Sequence, residues 1–221
     1  MPHPDTPPRA VSGVFFTYLW RNAGEWAVDF MVAAPPRALA LAAPVVEPVR
    51  TDGLWKSTCF EVFLLDPSKG AYLEFNFAPS GQWAAYQFDG YRSGMRELEI
   101  SAPQIFSLDP AHFEIQRARK FRHMGMDEET LEGLARPVQM PPGLPSPVPE
   151  PQQYGLRATL EHPGLWRGVH CHAALSAVIE EADGTKSYWA LAHAPGKPDF
   201  HHADGFALEM PPAVQRKTSN R

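Results

Sequence analysis

The feature that most constrains this chain is a run of three short apolar-polar alternations separated by turns too tight for a helical crossover. Phe60-Glu61-Val62-Phe63-Leu64-Leu65 reads as a strand, and Asp66-Pro67-Ser68-Lys69-Gly70 as a turn. Tyr72-Leu73-Glu74-Phe75-Asn76-Phe77 is the next strand, Ala78-Pro79-Ser80-Gly81 the next turn, and residues 83–88 the third strand. Parallel strands need a dozen or more residues between them, so connections this short impose antiparallel pairing and a β-meander.

The rest of the chain extends that pattern. Residues 14–20 are rich in aromatic and β-branched side chains, and Arg21-Asn22-Ala23-Gly24 supplies a turn. In residues 25–32, Trp26, Val28, Phe30 and Val32 then fall on one face, which is a hairpin signal. Further strands are expected at residues 96–100, 109–115, 156–161, 170–181, 185–192 and 206–210. The 24 prolines punctuate these runs and argue against long helices. Together they predict an all-β fold, an antiparallel β-sandwich or jelly roll. No internal repeat is visible, which disfavours a propeller.

Three segments stand outside the pattern. Residues 1–10 carry four prolines and no apolar h-region, and read as a disordered leader rather than a secretory signal. Residues 117–153 read as a flexible insertion, with room for one short helix that begins at Asp127-Glu128-Glu129 and seven prolines in residues 137–151. Residues 213–221 read as a polar tail, which leaves 11–212 as one domain. No apolar stretch approaches the length needed to span a bilayer, and the expected location is cytoplasmic.

A formal charge of −5 with scattered Lys and Arg argues against nucleic-acid binding, which needs a concentrated basic face. Two cysteines, Cys59 and Cys171, suggest neither a zinc ribbon nor a disulfide framework, and read as buried small hydrophobes.

Because side chains alternate along a strand, Glu61, Glu74 and Asn76 share one side of the meander, flanked by aromatics such as Tyr72 and Tyr86. Ring faces beside carboxylates and amides suit sugar recognition, since rings stack on pyranose C–H faces while polar groups meet hydroxyls. A solvated outer face with structural tyrosines is the competing reading. Trp55, at the entrance to the meander, is a candidate stacking ring or a core-edge residue.

The second cluster is the strand end and loop bearing Trp189, His193, Lys197, Asp199, His201 and His202. Metal binding by the two histidines with Asp199, and acid–base chemistry by His193 with Asp199, both compete with simple loop fixing. In that last reading Asp199 accepts backbone N–H bonds and Lys197 pairs locally.

On these residues the sequence resembles bacterial DOMON-like proteins, relatives of the family-nine carbohydrate-binding modules. The matching pieces are Asp52-Gly53-Leu54-Trp55-Lys56-Ser57-Thr58-Cys59-Phe60-Glu61-Val62-Phe63, then residues 72–86 with Phe88-Asp89-Gly90-Tyr91-Arg92, and residues 187–206. The resemblance implies a jelly-roll sandwich that binds sugars, or in some relatives haem, and implies no catalytic machinery. It implies a saccharide clamped between Trp55 and Trp189, with Glu61 and Asn76 as hydrogen-bonding partners. The leading expectation is thus a non-enzymatic module with no cofactor, for a carbohydrate or a sugar-like metabolite. Its alternatives are a haem domain using His193 or His172 with Met95, and a sugar-active enzyme using Glu61 or Glu74 with His193 or Lys197.

Overall fold

The computed structural model describes residues 1–21, 25–108, 152–161 and 170–210. Their strands are β1 (Gly13–Arg21), β2 (Glu25–Ala34), β3 (Cys59–Leu65), β4 (Tyr72–Phe77), β5 (Trp83–Phe88) and β6 (Arg96–Glu97). They continue with β7 (Gln104–Leu108), β8 (Gln152–Glu161), β9 (Cys171–Glu180), β10 (Lys186–Ala190) and β11 (Leu208–Met210). The smaller sheet runs β1-β2-β8-β7, the larger β10-β9-β3-β4-β5-β6, and β11 adds to β9. Every pairing between these strands is antiparallel.

The sandwich core follows from alternation. Trp26, Val28, Phe30 and Val32 of β2 and Leu156, Ala158 and Leu160 of β8 face Phe60, Val62 and Leu64 of β3 and Leu73, Phe75 and Phe77 of β4. Rings lock the two layers, with Phe30 and Phe60 4.9 Å apart and Trp26 edge-on to Phe75 at 4.8 Å. The β3–β4 turn closes on Asp66, whose Oδ1 accepts from the Ser68 N–H and whose carbonyl accepts from Gly70 N–H. Gly70 takes φ 71°, a left-handed conformation that favours glycine.

The larger sheet is covered on its outer face as well. In β4 both alternating sets are buried. A second apolar cluster, with Leu54, Cys59, Phe63, Tyr72, Tyr86, Phe88 and Phe206, lies on that outer side. The segments that cover it are the 3-10 turn Leu54–Lys56, the β5–β6 loop and the loop after β10.

Several local expectations change. Residues 1–10 are not a disordered leader. Pro2 bridges Trp189 antiparallel, His3 N–H donates to the Tyr188 carbonyl at 2.7 Å, and Ala190 N–H donates to the Met1 carbonyl at 3.1 Å. Proline forbids a helix interior but not an outermost strand, where its missing N–H faces away from the sheet. The buried Glu181 carboxylate pins the segment by accepting from the N–H groups of Arg9, Ala10 and Val11.

The strand expected at residues 96–100 shortens to Arg96–Glu97, and β7 pairs residues where none was expected. β8 begins at Gln152, so residues 152 and 153 of the expected insertion belong to the smaller sheet. The expected strand at 109–115, the rest of the insertion and the tail at 213–221 lie outside the described residues.

Candidate functional site

A cavity of about 330 Å³ opens on the outer face of the larger sheet. Its floor comes from alternate residues of four adjacent strands: Glu61 on β3, Glu74 on β4, Val178 on β9 and Tyr188 on β10. Register explains the grouping. Glu61 lies opposite Asn76 and Ser176, Glu74 opposite Phe63 and Tyr86, and Tyr188 opposite Val178. Phe88 closes one side, while Trp55, Arg92 and Met95 come from the preceding turn and the β5–β6 loop. The loop after β10 contributes Pro198, Phe200 and His201.

Two buried carboxylates dominate the electrostatics. Asn76 Nδ2 donates to Glu74 Oε1 at 2.7 Å, and Ser176 Oγ donates to Glu61 Oε2 at 3.4 Å. Glu61 Oε1 meets no donor among the described residues. Burial and then the neighbouring Glu74 charge push the Glu61 carboxyl well above the ordinary carboxylate value. Burial raises Glu74 to about 7, against the Asn76 hydrogen bond and the Arg92 charge. Burial and this repulsion together disfavour ionisation of both carboxyls at once.

His201 stands over this pair, with Nε2 3.8 Å from Glu74 Oε2 and Nδ1 2.8 Å from the Tyr72 hydroxyl. That hydroxyl also accepts from Arg92 N–H at 3.2 Å. The assignment that uses each donor has Tyr72 O–H donating to Nδ1 and the ring proton on Nε2, facing the carboxylates. Burial, followed by the Arg92 charge, lowers His201 to about 4 and keeps it neutral. Burial also raises the Tyr72 phenol to about 12.

Arg92 adopts φ 50°, uncommon for a residue with a side chain, and its guanidinium meets Asp199 Oδ1 at 2.8 Å. Tyr91 Oη donates to Asp199 Oδ2 at 2.5 Å, and His201 N–H donates to Oδ1 at 3.0 Å. Asp199 therefore ties the β5–β6 loop to the loop after β10. Although burial would raise its carboxyl, these hydrogen bonds hold it below its ordinary value.

Trp55, Glu61, Glu74 and His201, all singled out from sequence, line the one cavity. Asn76 lies beneath the floor, fully buried on Glu74. Tyr86 is buried with its hydroxyl turned to Asp52 Oδ1 at 2.5 Å, its ring edge-on to Trp55. Asp199 acts from behind as the loop tie.

Trp189 requires a correction. It is only 4% exposed, packed between the sheets with Nε1 donating to Ser187 Oγ, so it cannot be half of an aromatic clamp. The ring β10 presents to the cavity is Tyr188, one residue earlier. Pairing of Tyr188 with Val178 fixes that phase, and a one-residue shift exchanges the two faces. His193 and Lys197 do not line the cavity either. The first bonds the Met1 carbonyl at 3.0 Å and stands edge-on to His3, and the second is exposed.

Of the residues considered as haem ligands, Met95 lines the cavity, His193 does not, and His172 of β9 stands edge-on to His170 just before that strand. Among the described residues no group of three metal-ligating side chains comes together. Both cysteines are buried, as expected.

The lining residues that sequence reading did not single out are Phe88, Arg92, Val178, Tyr188, Pro198 and Phe200. For Tyr188 the available signal was its alternation with Trp189. For Arg92 it was the Phe88-Asp89-Gly90-Tyr91-Arg92 segment, already noted for its resemblance.

Fold and site together define an antiparallel β-sandwich with a ring-lined, carboxylate-floored cavity on one outer face. A candidate carbohydrate-binding protein from Bacteroides uniformis shares this fold, with a TM-score of 0.52 and 13% identity over 94% of this chain and 81% of its own. A family-nine carbohydrate-binding module from Caldicellulosiruptor kristjanssonii, solved with cellotriose, gives a TM-score of 0.49 and 10% identity over 98% of this chain and 87% of its own. No family model matches the chain, and no curated protein matches its sequence.

Proposed function

We propose that this chain is a DOMON-like, non-enzymatic module that binds a carbohydrate or sugar-like metabolite in the outer-face cavity. The observation that carries the reading is the convergence of Trp55 and Tyr188 with Glu61, Glu74 and His201 around one hollow. Ring faces supply stacking surface for pyranose C–H groups, and the floor supplies acceptors and one N–H donor for hydroxyls. A volume of about 330 Å³ is at the small end for ligand pockets and suits a short saccharide. The fold shared with the Bacteroides uniformis protein, itself a candidate carbohydrate binder, supports the same reading. A thermal-shift screen over mono- and oligosaccharides and nucleotide sugars tests it, with stabilisation by at least one saccharide expected. A well-folded sample that none of them stabilises would refute it.

A sugar-active enzyme is the second reading, and one observation favours it. Glu61 and Glu74 face the same cavity, both with raised carboxyl pKa, the condition under which a carboxylic acid donates a proton near neutral pH. Appearance of a new anomeric NMR signal on incubating saccharides with the protein would establish this reading over pure binding.

A further inference from the structure

The cavity floor holds more acceptor capacity than the protein satisfies. Glu61 and Glu74 are 3% and 5% exposed, and both line the hollow. Among the described residues, two protein donors lie within hydrogen-bonding distance, the Asn76 amide and the Ser176 hydroxyl, and neither carries charge. Among the described residues no hydrogen bond reaches Glu61 Oε1, whose carboxylate is held only through Oε2. Buried carboxylates are stable when paired with a cation, and among the described residues none hydrogen-bonds this pair.

The surrounding groups explain why. Arg92 is committed to Asp199, and the His201 Nδ1 position is occupied by Tyr72. From the strands, the titratable neighbours are Cys59, Tyr86, whose hydroxyl bonds Asp52, and Tyr188. A thiol or a phenol carries no positive charge, so none of them offsets the charge of the pair.

We propose that the ligand bears a protonated amine, as in an amino sugar with a free amino group, and that this ammonium docks between Glu61 and Glu74. The inference rests on the saccharide reading above and narrows its ligand class. An ammonium brings three donors and a positive charge to the floor, where a neutral hydroxyl brings one donor and no charge. The rings of Trp55, Tyr188 and Phe200 around it add faces that attract a cation. Burial of the pair retains a proton near neutral pH, which the ammonium replaces and releases to solvent.

The test is calorimetry on the full chain at pH 6.5, with glucosamine, N-acetylglucosamine, glucose and cyclohexylamine, in two buffers of different ionisation enthalpy. Glucosamine is expected to bind at least about tenfold tighter than the two neutral sugars, with net proton release. The Glu61→Gln variant, checked for folding by its thermal transition, should lose both the preference and the proton release. If that variant does not fold, the wild-type comparison of the amine with its acetylated form decides alone. Equal or tighter binding of the neutral sugars overturns the ammonium site and leaves the saccharide reading standing. Binding of cyclohexylamine without any sugar overturns the saccharide reading and keeps the ammonium site. Binding of none of the four overturns both.

Discussion

Asn76 and Glu74 stand two residues apart on the same face of β4, and the amide of one donates to the carboxylate of the other at 2.7 Å. This bond orients Glu74 toward the cavity while Asn76 itself stays beneath the floor. It leaves Glu61, opposite Asn76 on β3, to share the low-dielectric space with a second carboxylate.

That arrangement sets a pH dependence of stability. Both carboxyls have raised pKa in the folded state, so their contribution is fully present below the unfolded value and is lost as pH rises through the folded one. His201 has a lowered pKa of about 4, and its effect runs the other way, between about 4 and its unfolded value near 6.5. Above pH 6.5 the carboxylates therefore act without that opposition. Stability, and with it the melting temperature, is expected to fall from pH 6.5 to 8.5, with a free-energy slope of at most about 1.4 kcal/mol per pH unit per proton. Glu61→Gln should flatten the profile, as calorimetric scans at several pH values will show.

Trp55 and Trp189 separate binding from folding. Trp55 is 39% exposed at the cavity mouth, so Trp55→Ala should leave the melting temperature nearly unchanged while weakening saccharide binding about tenfold or more. Trp189 lies in the core, and Trp189→Ala should cost about 3–5 kcal/mol of stability by opening a hole between the sheets. Denaturant unfolding with ligand titration measures both. The reverse pattern would return Trp189 to the site.

Asp199 joins two loops through an exposed pair with Arg92 and a bond from Tyr91. Such surface pairs contribute about 0–1 kcal/mol, so Asp199→Ala should barely move the unfolding midpoint. Its expected effect is on affinity, a loss of about fivefold, because the loops bearing Arg92 and His201 are no longer held in place before the ligand arrives. An unchanged dissociation constant would show that the tie does not serve binding.

Glu181 accepts from three backbone N–H groups at residues 9–11. Glu181→Ala removes that acceptor and is expected to cost about 1–3 kcal/mol. It should also speed amide hydrogen exchange at those positions relative to the sandwich core. Exchange as slow as in the wild type would mean the segment is held by its pairing to β10 alone.

The central meander was readable residue by residue. Alternation in residues 60–65 and 72–77 placed Glu61, Glu74 and Asn76 on one face, and the register of β3 with β4 puts them there. The two-residue spacing of a strand is a local property, and tight turns leave few ways to pair. Residues 1–10 were not readable in the same way. Their prolines exclude a helix, but whether an extended segment finds a sheet edge depends on the free edge of β10 and on Glu181, far away in sequence.

The chain by itself determined that it would form antiparallel strands, which residues would point the same way, and that aromatic rings and carboxylates would be neighbours. Only the tertiary structure decided that the outer face of the larger sheet is roofed by three loops, that Tyr188 rather than Trp189 looks into the hollow, and that Arg92 is held by Asp199. The physical reason is range. Alternation and turn chemistry act over a few residues, whereas strand phase, burial and charge pairing depend on contacts made across more than a hundred.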